Sequence, residues 1–359
     1  MTGKQGSRYD SLVRDCYRSG GYVYAARPRD ATGKIGVTRI ARLASNENPD
    51  PPSPRAIERG EAALCGANRY PGDEVTDLVR ALQDHHGPYH FVTGVGMDGI
   101  IETVLRVFVT AGDRIAISTP TFSFYGIAAI GQGADIITIP RESDFSVDTR
   151  RFVREAGDAK VSFLCSPNNP TGTVTPVSEV SEILEGISGI LFLDNAYVEF
   201  CSEDYRPLLK KHGNLVIGRT MSKVFSLAGL RVGYAFVPEW LVPFYMRAMT
   251  PFALNSVSAS AATGALEDRD HVSRARERVT GLRDLVCREC RYPVIPSGAN
   301  FVLVDVAPQR GCDVASQLAS RGVLVRSCES FPGLGDTFIR VSIGEEWEME
   351  LFLKEINRL

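Results

Sequence analysis

The sequence predicts an α/β protein: a large domain on a mainly parallel sheet covered by helices, followed by a smaller α/β domain at the carboxyl end. Three observations carry this. Short apolar runs without polar alternation recur through the middle of the chain, as strands buried on both faces require. Helical patterns stand between them, the arrangement of a parallel sheet. At 359 residues the chain also exceeds the ~100–200 residues one domain commonly holds.

The elements follow in order. Residues 1–44, polar and rich in Arg and Gly, read as an N-terminal arm. NENPDPPSP (46–54) is a loop, because the residue before each proline is pushed towards extended backbone. RAIERGEAAL and VTDLVRALQDHHG read as helices around a turn at ANRYPGDE. Strands are expected at HFVTG, RIAIS, DIITIP, VSFLCS, ILFLDN, LVIGRT and VGYAFV, with helices at DGIIETVLRVFV, TFSFYGIAAIG and VSEVSEILEGI. This large domain spans 45–247. From 248 to 359 the sequence turns helical and arginine-rich, then gives NFVLVDV, a helix in DVASQLASRG, VLVRSC, FIRVSIG and a closing helix, a smaller domain.

The 40 basic and 43 acidic residues nearly balance, which argues against a general nucleic-acid or polybasic membrane binder. No run approaches the ~20 apolar residues of a membrane span, and the first residues lack the apolar core of a signal peptide. A cytoplasmic location and free thiols for the eight cysteines are therefore expected. Cys287 and Cys290 make a lone C-x-x-C without nearby histidines, which reads as two thiols on a helix, and no metal site is expected.

Gly94, Gly96 and Gly99 satisfy G-x-G-x-x-G between a strand and a helix. A dinucleotide site also needs an acid at the end of the next strand, and RIAISTPTF ends in Ser, Thr and Pro. Helix starts bind anions through their N–H groups and dipole. Gly96, Met97 and Asp98 are therefore read as a cradle for a phosphate.

Further motifs lie at expected strand ends, where open parallel sheets place their sites. Asn169 lies in SPNNPTG (166–172), and Asp194 and Tyr197 in LFLDNAY (191–197). Lys223 sits inside the apolar run 219–236, although the chain has only seven lysines against 33 arginines. Singly, each has an ordinary structural explanation: a cap, a turn, core, a snorkelling amine. Together and in this order they suit one chemistry. A desolvated lysine has a lowered pKa and becomes a nucleophile for carbonyls. Pyridoxal phosphate needs such a lysine for a Schiff base and an acid beside its ring nitrogen, which Asp194 can supply. Asn169 and Tyr197 can hold the ring's phenolic oxygen, and Phe122, in TPTFSFY, can stack on the ring. Thr220, Ser222 and Arg231 can join the 96–98 helix start around the phosphate.

With these residues in view, the chain from about Gly21 to Leu359 resembles the fold-type I pyridoxal-phosphate-dependent aminotransferases. NNPTG, D-x-A-Y and T-x-S-K followed by G-L-R-x-G-Y carry the resemblance; SNENP (45–49), RYP (69–71) and LAGLR narrow it to the histidinol-phosphate aminotransferase branch. The resemblance implies that Lys223 makes the covalent bond to the cofactor. It implies a homodimer in which Tyr70 reaches the partner's cofactor phosphate. Arg340 matches the family's substrate-anion arginine, Arg326 a second arginine for substrate phosphate, and Tyr22 an N-terminal tyrosine that closes over the substrate. Asn48, in SNENP, joins the substrate-binding set. The implied reaction exchanges histidinol phosphate and 2-oxoglutarate with imidazole acetol phosphate and glutamate.

Three departures bear on the substrate more than on the cofactor. Gly99 stands where an acid commonly follows Asp98, Gly21 where a proline precedes the tyrosine, and Ser327 and Cys328 where an acid often follows the arginine. An aromatic or broad-specificity aminotransferase and a phosphothreonine decarboxylase of the same fold share the cofactor residues and stay open. A non-enzymatic regulator of this fold would need a DNA-binding extension or a basic tract, which this sequence does not show.

Overall fold

The computed structural model describes residues 9–18, 20–24 and 39–359. A short strand, β1 (Ala41–Arg42), leads through the proline-studded loop into helices Pro54–Leu64 and Asp73–His86. Ser53 caps the first helix by accepting a hydrogen bond from the Ala56 N–H at 3.3 Å. Pro54 supplies a fixed φ where no amide donor is needed.

Seven strands make the main sheet: β2 (His90–Val95), β3 (Arg114–Thr119), β4 (Asp135–Pro140), β5 (Val161–Cys165), β6 (Ile190–Asp194), β7 (Leu215–Thr220) and β8 (Val232–Val237). Their spatial order is β2-β8-β7-β6-β5-β3-β4. β5, β6 and β7 are buried at every residue, which is why they read as unbroken apolar runs. Helix Gly96–Phe108 buries Ile100, Ile101, Val104 and Leu105 in the core. Each such side chain contributes about 1.5–3 kcal/mol of burial.

One strand reverses direction. β3 to β7 pair in parallel, whereas β8 runs antiparallel to both β7 and β2. Val232 pairs with Val95, and Gly233 with both Gly94 and Thr220. The residue before β8, Arg231, therefore arrives at the same sheet edge as the carboxyl ends of β2 and β7. A Cβ on Gly233 would lie 2.2 Å from the Gly96 carbonyl oxygen, so glycine is needed where β8 passes the helix start.

The carboxyl-terminal part adds β9 (Val294–Ile295), β10 (Phe301–Asp305), β11 (Val323–Leu324), β12 (Arg326–Ser327) and β13 (Phe338–Ser342). Strands β12-β13-β10-β9 form an antiparallel sheet, while β11 pairs in parallel with β1. The segment VLVRSC thus divides between two sheets, with Val325 at the break. Helix Ser256–Glu267 packs against helices Pro54–Leu64 and Asp73–His86, so the chain just past residue 248 still lies against helices from the amino-terminal part. Helix Arg269–Glu289 then leads into the small sheet.

Two short helices, Thr149–Ala156 and Val242–Ala248, were not legible from periodicity. The first has eight residues, shorter than the window over which helical periodicity is counted, and buries only Phe152 and Ala156.

Candidate active site

A cleft of about 520 Å³ opens at the carboxyl ends of the main sheet, between it and the small sheet. Met97, Asp98, Phe122, Asn169, Asp194, Tyr197, Thr220, Ser222, Lys223 and Arg231 line it from the side of the main sheet, and Arg326, Arg340 and Tyr22 from the other side. A wider groove of about 1060 Å³, bordered by Asp144, Arg276 and Arg283, contains none of the expected site residues.

One end of the cleft is a cup. Helix Gly96–Phe108 opens there directly after β2, and its continuation through Gly99 is held in part by the Thr103 hydroxyl, which donates to the Gly99 carbonyl at 2.7 Å. Gly96 has φ +66°, and a Cβ on it would lie 2.5 Å from Arg231 Nη2. Arg231 is itself left-handed at φ +53°, a conformation that costs a non-glycine residue about 1–3 kcal/mol and that clusters at functional sites. Its guanidinium donates to Asp98 Oδ2 at 3.0 Å and to Ser222 Oγ at 3.5 Å. The Thr220 hydroxyl donates to Ser222 Oγ at 3.0 Å. Burial raises the Asp98 pKa, against the pull of Arg231.

Asp194 ends β6 and is buried, 3% exposed. Its Oδ2 accepts from the Tyr125 hydroxyl at 2.6 Å and its Oδ1 from the Ala196 N–H at 2.9 Å. Burial pushes its pKa up to about 6, opposed by those two donors. Tyr197 follows on the same loop. Its hydroxyl accepts from Asn46 Nδ2 at 3.2 Å, and burial raises its pKa. Asn169 Oδ1 accepts from Arg340 Nη1 at 2.5 Å.

Lys223 leaves the turn after β7 and is half-buried, its Nζ 5.6 Å from the centre of the Tyr197 ring. Burial lowers its pKa to about 8, and the Arg340 charge adds to that effect. The apolar run thus carries, among polar strand ends, an amine whose pKa the fold lowers.

On the far wall, Arg340 Nη2 donates to the Ala44 carbonyl at 2.8 Å. Arg326 Nη2 donates to the Val23 carbonyl at 2.7 Å and to Ser330 Oγ at 3.0 Å. Arg326 thereby fixes the arm segment that carries Tyr22, whose ring meets Phe122 edge-on at 6.0 Å.

Two expected residues lie elsewhere. Asn48 is turned away from the cleft: its Oδ1 accepts from Arg278 Nη2 at 2.8 Å, and its Nδ2 donates to the Val224 carbonyl at 3.2 Å. The neighbouring Asn46 of the same SNENP segment lines the cleft instead, because its backbone turns through φ +53°. Tyr70 is 79% exposed, stacked on Phe252 at 4.6 Å, and outside this chain's cleft. The sequence reading also passed over Tyr24, Glu47 and Ser330, which line the cleft, and Tyr125 beneath Asp194. Tyr24 and Tyr125 each lie two or three residues from Tyr22 and Phe122, and Glu47 lies inside the SNENP motif; nothing in the local pattern marks Ser330.

Comparison with known proteins agrees with this geometry. The family model for aminotransferase class I and II matches residues 38–356. The chain belongs to that family. This aminotransferase is 58% identical to a histidinol-phosphate aminotransferase of Methanoculleus marisnigri, over 97% of this chain and 99% of the relative. It is 59% identical to the protein of the same name from Methanosphaerula palustris, over 97% and 99%. The crystal structure of histidinol-phosphate aminotransferase from Sinorhizobium meliloti in complex with pyridoxal-5'-phosphate has the same fold, with TM-score 0.85, 24% identity and 97% of each chain covered.

The cleft of this aminotransferase fits pyridoxal phosphate on its own chemistry. Hydroxyls and a guanidinium surround the cup, and its one acid, Asp98, is already paired. A Cβ at Gly96 would fill the cradle. An amine of lowered pKa and a buried carboxylate stand along the same cleft.

Proposed function

We propose that this chain is a pyridoxal-phosphate-dependent aminotransferase that exchanges the amino group of histidinol phosphate with 2-oxoglutarate, giving imidazole acetol phosphate and glutamate in L-histidine biosynthesis. The observation that carries the chemistry is a lysine of lowered pKa sharing one cleft with a buried, doubly hydrogen-bonded aspartate. The substrate reading is supported by histidinol-phosphate aminotransferases 52–59% identical over 97% of the chain.

Bound pyridoxal phosphate supplies an aldehyde for the exchanging nitrogen and a ring that draws electrons from the neighbouring carbon. Lys223 anchors that group and, when free, takes and returns the proton at the donor's reacting carbon. Asp194 keeps a negative charge towards the ring nitrogen. Asn169 and Tyr197 hold the ring oxygen, and Phe122 covers the ring face. Gly96, Met97, Asp98, Thr220, Ser222 and Arg231 hold the phosphate. Arg340 and Arg326 present planar donor forks that suit a carboxylate in one half of the exchange and a phosphate in the other. Tyr22 closes the cleft to water.

The working form we propose is a cytoplasmic homodimer. The exposed Tyr70–Phe252 stack, outside its own cleft, supports a role for Tyr70 at a second copy's phosphate. Eight unpaired cysteines suit a reducing compartment. No described helix is long and apolar enough to cross a membrane. An active chain that sediments as a monomer would remove the dimer.

The test supplies purified, cofactor-loaded protein with histidinol phosphate and 2-oxoglutarate, with phenylalanine as a parallel donor, and measures glutamate. Strong glutamate formation from histidinol phosphate alone is the expected result. Preference for phenylalanine overturns the substrate and keeps the chemistry. Carbon dioxide release from phosphothreonine without glutamate overturns the transamination.

A further inference from the structure

Asp194 touches the cleft from a dry position, and a carboxylate in such a place is costly unless donors hold it. The described residues offer it two donors: the Ala196 N–H at 2.9 Å and the Tyr125 hydroxyl at 2.6 Å. The first belongs to Asp194's own loop. The second comes from across the sheet, from the first turn of helix Phe124–Gln132. Tyr125 is fully buried. Its ring stacks on Phe163 at 4.7 Å with an interplanar angle of 9°, and meets Phe122 edge-on at 5.5 Å. The hydroxyl is therefore aimed by packing on two sides. A 2.6 Å O–H···O⁻ contact is in the range of charge-assisted bonds. Burial and the facing carboxylate both raise the Tyr125 pKa, so the proton stays on the phenol and the bond keeps one direction.

We propose that Tyr125 is a positioning residue for the reaction. By donating to Asp194 Oδ2 it holds that carboxylate charged and fixed in rotation, so that the remaining lone pairs face the cleft where the cofactor's ring nitrogen binds. The Phe122–Tyr125 contact gives the role a second part. The residue that covers the ring face and the residue that orients the acid are packed together on one loop-to-helix segment, 120–125. A cofactor placed against Phe122 thus meets an acid whose aim is set by the neighbouring tyrosine. This inference rests on the reading of the cleft as a pyridoxal phosphate site.

The test is a double-mutant cycle on the full chain, read as the apparent dissociation constant of pyridoxal phosphate and as kcat and KM with histidinol phosphate. Tyr125→Phe keeps the ring and its stacking. A charge-assisted hydrogen bond is worth enough for about a ten-fold or greater effect. Tyr125→Phe is therefore expected to weaken cofactor binding and lower kcat by about that factor, with KM for the donor nearly unchanged. In an Asp194→Asn background the same substitution is expected to change cofactor binding by less than about two-fold, because its partner charge is gone. An equal loss in both backgrounds would mean a packing role only and overturns the proposal, as does an unchanged dissociation constant in the Asp194 protein. Failure of the unsubstituted chain to bind pyridoxal phosphate overturns the cofactor reading itself, and the proposal with it.

Discussion

Arg326 and Arg340 face each other directly across β12 and β13. Like charges opposite one another in an antiparallel pair are destabilising, and no ion pair to an acid is found for either among the described residues. Their donors go to neutral acceptors: Asn169 and the Ala44 carbonyl for Arg340, Ser330 and the Val23 carbonyl for Arg326. Two positive charges kept without counter-charge beside a cleft make a site for an anion. Arg340→Lys, which loses the fork but keeps the charge, is expected to reduce kcat/KM for both substrates by about 10- to 100-fold, the worth of one charged hydrogen bond. Arg326→Ala is expected to raise KM for the phosphorylated donor more than for 2-oxoglutarate. Steady-state kinetics with each substrate varied in turn checks both.

Lys223 predicts a pH dependence. Its pKa in the folded apoprotein is lowered to about 8, by burial first and Arg340 second. The amine captures an aldehyde only when neutral. The rate at which apoprotein takes up pyridoxal phosphate is expected to rise about tenfold per pH unit below 8 and to level off above it. The unfolded chain binds this proton more tightly than the folded one, so the lysine's contribution to stability rises with pH from about 8 towards the ordinary lysine value. A stopped-flow uptake profile that stays flat from pH 6 to 9 would count against a lowered lysine.

The cup predicts a local, severe defect. Gly96→Ala puts a side chain at φ +66° and within 2.5 Å of the Arg231 guanidinium. The left-handed conformation alone costs about 1–2 kcal/mol. Arg231 must also move from its place beside Ser222. The expected outcome is a folded protein, a few degrees less stable by calorimetry, whose affinity for pyridoxal phosphate falls well beyond its loss of stability.

Glu199 and Arg219 form a buried ion pair at 3.1 Å, with side chains 11% and 8% exposed. Glu199 lies in the turn that follows Asp194 and Tyr197, and Arg219 lies at the end of β7, so the pair ties the segment after the acid to the strand that leads to the lysine. Glu199→Ala strands a buried guanidinium, for which a loss of about 3–5 kcal/mol is expected. Urea unfolding of apoprotein measures it, and a change below about 1 kcal/mol would show the pair to be dispensable.

The sequence by itself determined the strands of the main sheet, their burial and most of the residues that meet in one cleft at its carboxyl edge. Short continuous apolar runs such as ILFLD, set between helical patterns, suit a sheet covered on both faces, and this one is a strand buried at every residue. Such a sheet brings strand ends to one edge whatever the details of packing. Tertiary structure alone decided three things. β8 runs against its neighbours, which is how Arg231 reaches the cup although it lies eight residues past Lys223. Asn46 rather than Asn48 meets Tyr197, because the backbone turn at φ +53° sends two asparagines of one short motif to opposite sides. Tyr125 reaches Asp194 from 69 residues away. Periodicity and propensity are local, whereas each of these depends on which strand lies beside which, and that is set by contacts between segments far apart in the chain.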